Sequence, residues 1–414
     1  NGLAGLEYTF DDLLKGTSGR VTIETDEFGR PIPFGEQRVV KPAKAGLSIQ
    51  LTLDSYLQFV TESALAKQVK TFHAQSGTAI VMDPYTGEIL ALANEPHFDP
   101  NHFWKYPADA QRDRAVQDAY EPGSTFKLVT AAAALESGKI SLDRRFLSAG
   151  PLEVGGRRIY NAVDGLTPSP SGDTLETIVA DSLNVGAAEV ALSIGGSAFY
   201  RMEQRAGFGE PTNVGLAGEN PGIVPPPQEW SGSSLATMAF GQGVSVTPLA
   251  MARFYCAIAN GGILVRPRIV RSILDGQGSV VYTYPPEIER RVFSARTAEQ
   301  LRRFLRAVVV RGTGNPAAQI AGYTTAGKTG TAQMPVNGYY EAGAYVASFI
   351  GMIPYEHPRY VIYVKVERPV GSIYGSQVAA PAFVAIGRAA MLHEGVLPAA
   401  PARLVRRTAA ANSR

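Results

Sequence analysis

A single cysteine, Cys256, is all the thiol that these 414 residues hold. No internal disulfide can brace the chain, and no Cys-x-x-Cys metal knot can form. Its place in the apolar run 251–258 predicts a small buried hydrophobe within a helix. Histidine is sparse as well. The five are scattered (His73, His97, His102, His357 and His393), and none makes the His-x-x-x-His pair of a zinc hydrolase. Neither sign of charge dominates: 39 Lys and Arg face 37 Asp and Glu, a formal net charge of +2. That balance excludes the basic excess of a nucleic-acid surface. Nowhere do the roughly 20 apolar residues of a membrane span follow one another. The chain nevertheless opens on Asn1 rather than methionine and enters at once into a patterned segment, so an N-terminal membrane anchor is expected to precede it. What is present is core-forming material, 45% hydrophobic against 18% charged, enough for two or three domains.

Residues 1–45 read as a small, mostly β module. Val21-Thr22-Ile23-Glu24 alternates as a strand does, and Asp26-Glu27-Phe28-Gly29 has turn chemistry. So short a piece buries little core by itself and is expected to pack on something else. A second unit, 46–395, begins with the alternating strand 47–53. Asp54 then offers a helix N-cap, and Leu57, Val60, Ala64 and Leu65 recur on one face. Strands at 78–82 and 88–93 flank the hairpin turn Asp83-Pro84-Tyr85-Thr86-Gly87. From 121 to 224 the strand signal fades, and the clearest helices are predicted at 128–136 and 175–194. Strands return at 321–332, 345–353 and 359–367, before a closing helix at 377–392. The order predicts an α+β fold whose one sheet is assembled from both ends of the unit, around a helical insertion. The Ala-, Pro- and Arg-rich tail 396–414 reads as disordered.

Three short motifs carry candidate chemistry. In Glu121-Pro122-Gly123-Ser124-Thr125-Phe126-Lys127, a Pro-Gly break is followed by a helix starting near Ser124. A serine there meets free backbone N–H groups and the positive helix end. Lys127, one turn on, returns to the same face. As a neutral amine it can deprotonate the serine, a state that burial and a second cation would favour. The plainer alternative is a helix-capping serine with an exposed lysine, and taken alone that alternative is the stronger. In Ser182-Leu183-Asn184, a hydroxyl and an amide can enter one cleft if the middle residue turns the chain. Ordinary loop composition explains the same residues. Gly327-Lys328-Thr329-Gly330-Thr331 lies in a strand-like stretch, where glycines are costly unless another backbone or a ligand approaches closely. Lys328 and the two hydroxyls can hold a carboxylate, and an edge strand can pair with an extended peptide. The alternative is a weakened edge strand with a solvated lysine. Each motif is weak by itself, but Ser-x-x-Lys, Ser-x-Asn and Lys-Thr-Gly in this order form the set of serine β-lactamases and penicillin-binding proteins.

On these residues the chain resembles the class B, monofunctional penicillin-binding proteins from about Gly2 to Leu392. Gly5-Leu6-Glu7, Phe10-Asp11-Asp12-Leu13-Leu14, Leu51-Thr52-Leu53-Asp54, Gly87-Glu88-Ile89-Leu90-Ala91 and Phe240-Gly241-Gln242-Gly243 add to the likeness. The resemblance implies a transpeptidase domain of the penicillin-binding and serine β-lactamase fold, behind a remnant of an N-terminal pedestal. It implies that Ser124 attacks the penultimate D-Ala carbonyl of a stem peptide with Lys127 as general base. Ser182 then passes the proton to the leaving amine, while Asn184, Lys328, Thr329, Gly330 and Thr331 hold substrate. The N–H groups of Ser124 and Thr331 form the oxyanion hole, and penicillin traps Ser124 as an acyl-enzyme. No metal or organic cofactor is implied. The implied partners are peptidoglycan stem peptides, β-lactams and a polytopic glycosyltransferase of the SEDS family, met through residues 1–44 and the membrane anchor. The catalytic unit faces outward from the cell membrane. Asn184-Val185-Gly186 and Glu121-Pro122-Gly123 favour the septal and sporulation branch over the elongation branch. Leu183, where serine is common, and Asp113, where many relatives have asparagine, depart from that pattern. A serine β-lactamase, a D,D-carboxypeptidase and a catalytically silent wall-synthesis scaffold are the rival readings. Only Glu219-Asn220 loosely suggests the water-activating loop of the first.

Overall fold

A computed structural model describes residues 2–162, 168–336 and 338–399. Two short helices, Gly5–Thr9 and Asp11–Leu14, open the chain, so the N-terminal module is less purely β than its pattern suggests. An antiparallel hairpin of β1 (Arg20–Ile23) and β2 (Gln37–Lys41) follows, every residue of both strands exposed. The strand β3 (Ser48–Leu51) leads to Asp54, whose side chain accepts from the Leu57 N–H at 2.9 Å. That cap starts α1 (Ser55–Thr71). Next come β4 (Ser76–Met82) and β5 (Ile89–Glu95), paired antiparallel across the expected hairpin.

The insertion is helical: α2 (Lys127–Glu136), α3 (Leu175–Ala180), α4 (Asn184–Ile194), α5 (Gly196–Arg205) and α6 (Pro248–Ala259). The single helix expected over 175–194 is two, because Ser182 takes a left-handed backbone, φ 60°, that a continuous helix cannot hold. Short strand pairs also lie among these helices, such as Leu152–Val154 with Arg157–Ile159, where the strand signal in the sequence is weak. β6 (Val270–Leu274) joins β3 on one side and β7 (Val280–Thr283) on the other, forming a small three-stranded sheet. α7 (Ala295–Val310) is capped by Ser294, whose hydroxyl accepts from the Thr297 N–H.

The chain then returns to the main sheet with β8 (Ala326–Val336), β9 (Tyr339–Ile353) and β10 (Tyr360–Glu367), and closes with α8 (Ala380–His393). The first of these strands starts five residues later than its pattern suggested, because residues 320–323 form a turn first. The sheet order is β8-β9-β10-β4-β5, antiparallel throughout. Both ends of the unit thus meet between β10 and β4, and β8 forms an edge.

Both faces of this sheet are covered, which explains why every residue of β4 is buried and why Ala79-Ile80-Val81-Met82 is apolar without alternation. Ala79 and Val81 pack with Leu65, Phe383 and Ile386 of α1 and α8. Ile80 and Met82 face the helical insertion, with Met251, Phe254 and Tyr255 of α6. α6 is buried along its whole length, and Cys256 lies within it as a small buried side chain. Of the tail 396–414, residues 400–414 lie outside the described residues. Val396 and Ala399 are fastened to the body through N–H bonds to Met391 O (2.9 Å) and Gly322 O (2.8 Å). No helix among the described residues is long and apolar enough to cross a membrane.

Candidate active site

Ser124 sits in a tight helical turn, Gly123–Phe126, that runs straight into α2. The N-cap of this turn is Pro122, so Ser124 is not a capping serine. Its Oγ instead lies 2.9 Å from Lys127 Nζ, within hydrogen-bond distance. The alternative of an exposed lysine fails too, since Lys127 is only 1% exposed. The turn is held from behind. The Gly123 N–H donates to Gly241 O at 3.1 Å, and Tyr255 donates to Thr125 O at 3.0 Å. Gly241 has φ 81°, and a Cβ there would lie 2.3 Å from Gly123 O, so only glycine allows this approach. Just upstream, the Glu121 carboxylate accepts from the Gly243 N–H at 2.8 Å and from the Tyr340 hydroxyl at 3.0 and 3.2 Å. Burial pushes the Glu121 carboxyl up from its ordinary range. Burial and the Glu121 charge push the Tyr340 phenol up to about 12.

Ser182 and Asn184 enter the same cleft from the break between α3 and α4. Lys127 Nζ also lies within hydrogen-bond distance of Ser182 O (2.5 Å), Ser182 Oγ (3.1 Å) and Asn184 Oδ1 (2.7 Å), so that with Ser124 Oγ four oxygens surround at most three N–H groups. The left-handed residue is Ser182 itself, which turns both polar side chains onto Lys127. The intervening Leu183 is 2% exposed and belongs to the helical core, a physical reason for an apolar residue between two polar ones. Asn184 Nδ2 donates to Tyr160 O at 3.1 Å. Asn161 Oδ1 accepts from the Val185 N–H at 3.0 Å, which fixes the start of α4.

The third motif arrives on the edge strand β8. Lys328, wholly buried, donates to Ser182 Oγ at 2.9 Å and to Thr329 O at 3.2 Å, so it is not a solvated lysine. A Cβ on Gly330 would lie 2.3 Å from Ser348 Oγ and 3.1 Å from Thr125 Cγ2, so this glycine lets β8 lie against the turn that carries Ser124. Thr331 Oγ1 donates to Ile373 O at 3.3 Å. Two lysine amines therefore converge on one hydroxyl, Ser182 Oγ. Its two lone pairs can accept from both while its own proton points elsewhere. A proton can pass from Ser124 to Lys127 and on to Ser182 without any side chain changing place.

All eight candidate residues come together from three separate stretches of chain. Sequence reasoning missed their supports. Asn161 and Tyr340 carry no local signal. Thr313, whose hydroxyl lies 2.8 Å from that of Thr329, sits in the Gly312-Thr313-Gly314 turn after α7, a visible break whose purpose needs the fold. Glu219 accepts from the Thr212 hydroxyl (2.8 Å) and the Asn213 N–H (3.0 Å), which commits its carboxylate to its own loop.

Residues 77–388 match the family described as the penicillin binding protein transpeptidase domain. Stage V sporulation protein D of Bacillus subtilis is 38% identical, covering 96% of this chain and 61% of that protein. The peptidoglycan D,D-transpeptidase FtsI of Escherichia coli is 34% identical, covering 93% of this chain and 62% of its own length. The chain thus spans about three fifths of the length of these curated relatives. The crystal structure of penicillin binding protein 3 from Mycobacterium tuberculosis complexed with ampicillin superimposes with a TM-score of 0.84. It is 35% identical, covering 97% of this chain and 86% of that one.

Proposed function

The chain belongs to the class B penicillin-binding proteins through their transpeptidase domain, and from that premise we propose that it is a serine D,D-transpeptidase of septal or sporulation wall synthesis. The observation that carries this reading is the unbroken set of contacts Ser124–Lys127–Ser182–Lys328, at 2.9, 3.1 and 2.9 Å. Lys127, as a neutral amine, takes the Ser124 proton while Oγ attacks the carbonyl carbon of the penultimate D-Ala. The backbone N–H groups of Ser124 and Thr331 receive the developing oxyanion, each such donor contributing about 3 kcal/mol in comparable sites. As the C–N bond breaks, the proton travels through Ser182 to the departing D-Ala amine. An amine from a neighbouring stem peptide then attacks the acyl-enzyme along the reverse route, and Ser124 recovers its proton. Asn184, Lys328, Thr329, Gly330 and Thr331 hold the substrate, whose extended peptide can lie along the edge of β8.

Penicillin acylates the same serine and leaves slowly. Residues 1–45 are assigned to a pedestal remnant and 46–395 to the transpeptidase unit. The complete protein is anchored in the cell membrane by an N-terminal helix, with this unit outside, and works with a SEDS-family glycosyltransferase. The exposed β1–β2 hairpin supports a contact role for the pedestal. The test is a fluorescent penicillin with wild type and Ser124→Ala, followed by turnover of a D-Ala-D-Ala peptide with and without an acceptor amine. Stoichiometric, persistent labelling lost in Ser124→Ala, together with transfer to the amine, is expected. Rapid multiple turnover of penicillin would identify a β-lactamase, and release of D-Ala with no transfer would identify a carboxypeptidase.

A further inference from the structure

The turn after α7 brings a hydroxyl to the cleft that none of the three motifs contains. Thr313 Oγ1 lies 2.8 Å from Thr329 Oγ1. The turn is anchored on two sides. The Thr313 N–H donates to Ala180 O at 3.1 Å, and the Gly314 N–H donates back to Val308 O at 3.0 Å. Arg311 pairs with Glu176 at 2.9 Å and lies 3.8 Å from Asp181, on the segment leading into Ser182. Thr313 is therefore fastened to the backbone that carries the second motif while its side chain meets the third.

We propose that Thr313 is a positioning residue for carboxylate recognition: its hydroxyl donates to Thr329 Oγ1 and so directs the Thr329 O–H toward the substrate carboxylate. A threonine hydroxyl has one proton and two lone pairs, an ammonium only donates and a carboxylate only accepts. Lys328 Nζ lies 3.4 Å from Thr329 Oγ1, a long contact that offers a donor to one lone pair. If Thr313 donates to the other, the single Thr329 proton is left for the ligand. If the direction is reversed, that proton is spent on Thr313 and the carboxylate meets only lone pairs. A bound carboxylate therefore selects the arrangement in which Thr313 donates.

This assignment rests on the transpeptidase reading above, and its test separates the two. The second-order rate of Ser124 acylation is measured with benzylpenicillin and with its methyl ester, which lacks the carboxylate charge, for wild type, Thr313→Val and Thr313→Ser. Thr313→Val is expected to slow benzylpenicillin about tenfold, the scale of one hydrogen bond to a charged group, while the ester changes less than about twofold. Thr313→Ser is expected to restore the wild-type preference. An equal loss for both compounds, or none for either, overturns the assignment while leaving the transpeptidase reading standing. A wild type that penicillin does not label overturns both. Should Thr313→Val fail to fold, Thr313→Ala removes the hydroxyl without pressing a second methyl against Thr329, and the same comparison decides.

Discussion

Lys127 shows how much a single position depends on its surroundings. In the sequence it is a first-turn lysine, a type that normally reaches water. In the fold its amine is enclosed and meets oxygens of Ser124, Ser182 and Asn184. Buried polar groups are kept only when they are satisfied or when some use offsets the cost. Glu203 on α5 is the contrasting case. It is 0% exposed, and neither carboxylate oxygen has a hydrogen-bond partner among the described residues. Burial pushes its carboxyl well above the ordinary 4.5, which favours the neutral form. A raised folded value means that its contribution to stability is complete below the unfolded value and is lost as the pH climbs through the folded one. Glu203→Gln keeps the shape and removes the titration. Thermal melts across pH 5–8 should therefore show a flatter pH dependence for the variant than for wild type, and parallel curves would refute this account. The motif serines and lysines were legible as residue types at given spacings. Glu203 was not, because nothing local distinguishes a buried glutamate from a surface one on a helix.

At the scale of elements, the strongest requirement lies between the Ser124 turn and the loop that backs it. Gly241 sits outside the three motifs, yet its left-handed backbone and lack of a side chain let Gly123 approach. Gly241→Ala should lower stability by about 1–3 kcal/mol through strain and clash. It should slow penicillin acylation as well, because the same turn carries Ser124. A drop in melting temperature with an unchanged labelling rate would show that the turn tolerates the shift. Helix starts were readable where capping chemistry is local, as at Asp54. The break at Ser182 was only half readable. The apolar pattern runs on from α3 to α4, and what interrupts it is a backbone conformation stabilised by contacts with Lys127 and Lys328, far away in sequence. Strand limits depend on distant contacts for a related reason. The strand β8 ends where its pairing with β9 ends, and that pairing extends through Val336 opposite Tyr339.

For the whole molecule, the decisive contact is the seam where the chain's two ends meet in the main sheet, β10 against β4. A buried polar group bridges that seam. Lys365, 0% exposed, pairs with Glu367 at 2.7 Å, and Ser76 of β4 donates to the same carboxylate. Lys365 also lies over the Tyr120 ring, 4.9 Å from its centre, on the segment just before the Ser124 turn. Burial alone would push the Glu367 carboxyl up, but Lys365 and Ser76 bring it below the ordinary 4.5. A lowered folded value gives stability that is present above the unfolded value and is lost as the pH falls through the folded one, so this contact weakens in acid below about pH 4.5. Glu367→Gln leaves the Lys365 charge buried beside a neutral amide and should cost about 3–5 kcal/mol, read from denaturant unfolding at pH 7. A loss below about 1 kcal/mol, the scale of a surface ion pair, would mean that the pair is not sealing the seam. The sequence by itself determined the helical insertion within a split sheet, and it placed eight candidate residues in three motifs. Those features follow from short-range periodicity and from residue chemistry, which are local properties. Only the tertiary structure decided that Lys127 and Lys328 share Ser182 Oγ, that Gly241 backs Gly123, and that Thr313 meets Thr329. These contacts join residues far apart along the chain, and their geometry is set by how the sheet closes and how the helices pack against it.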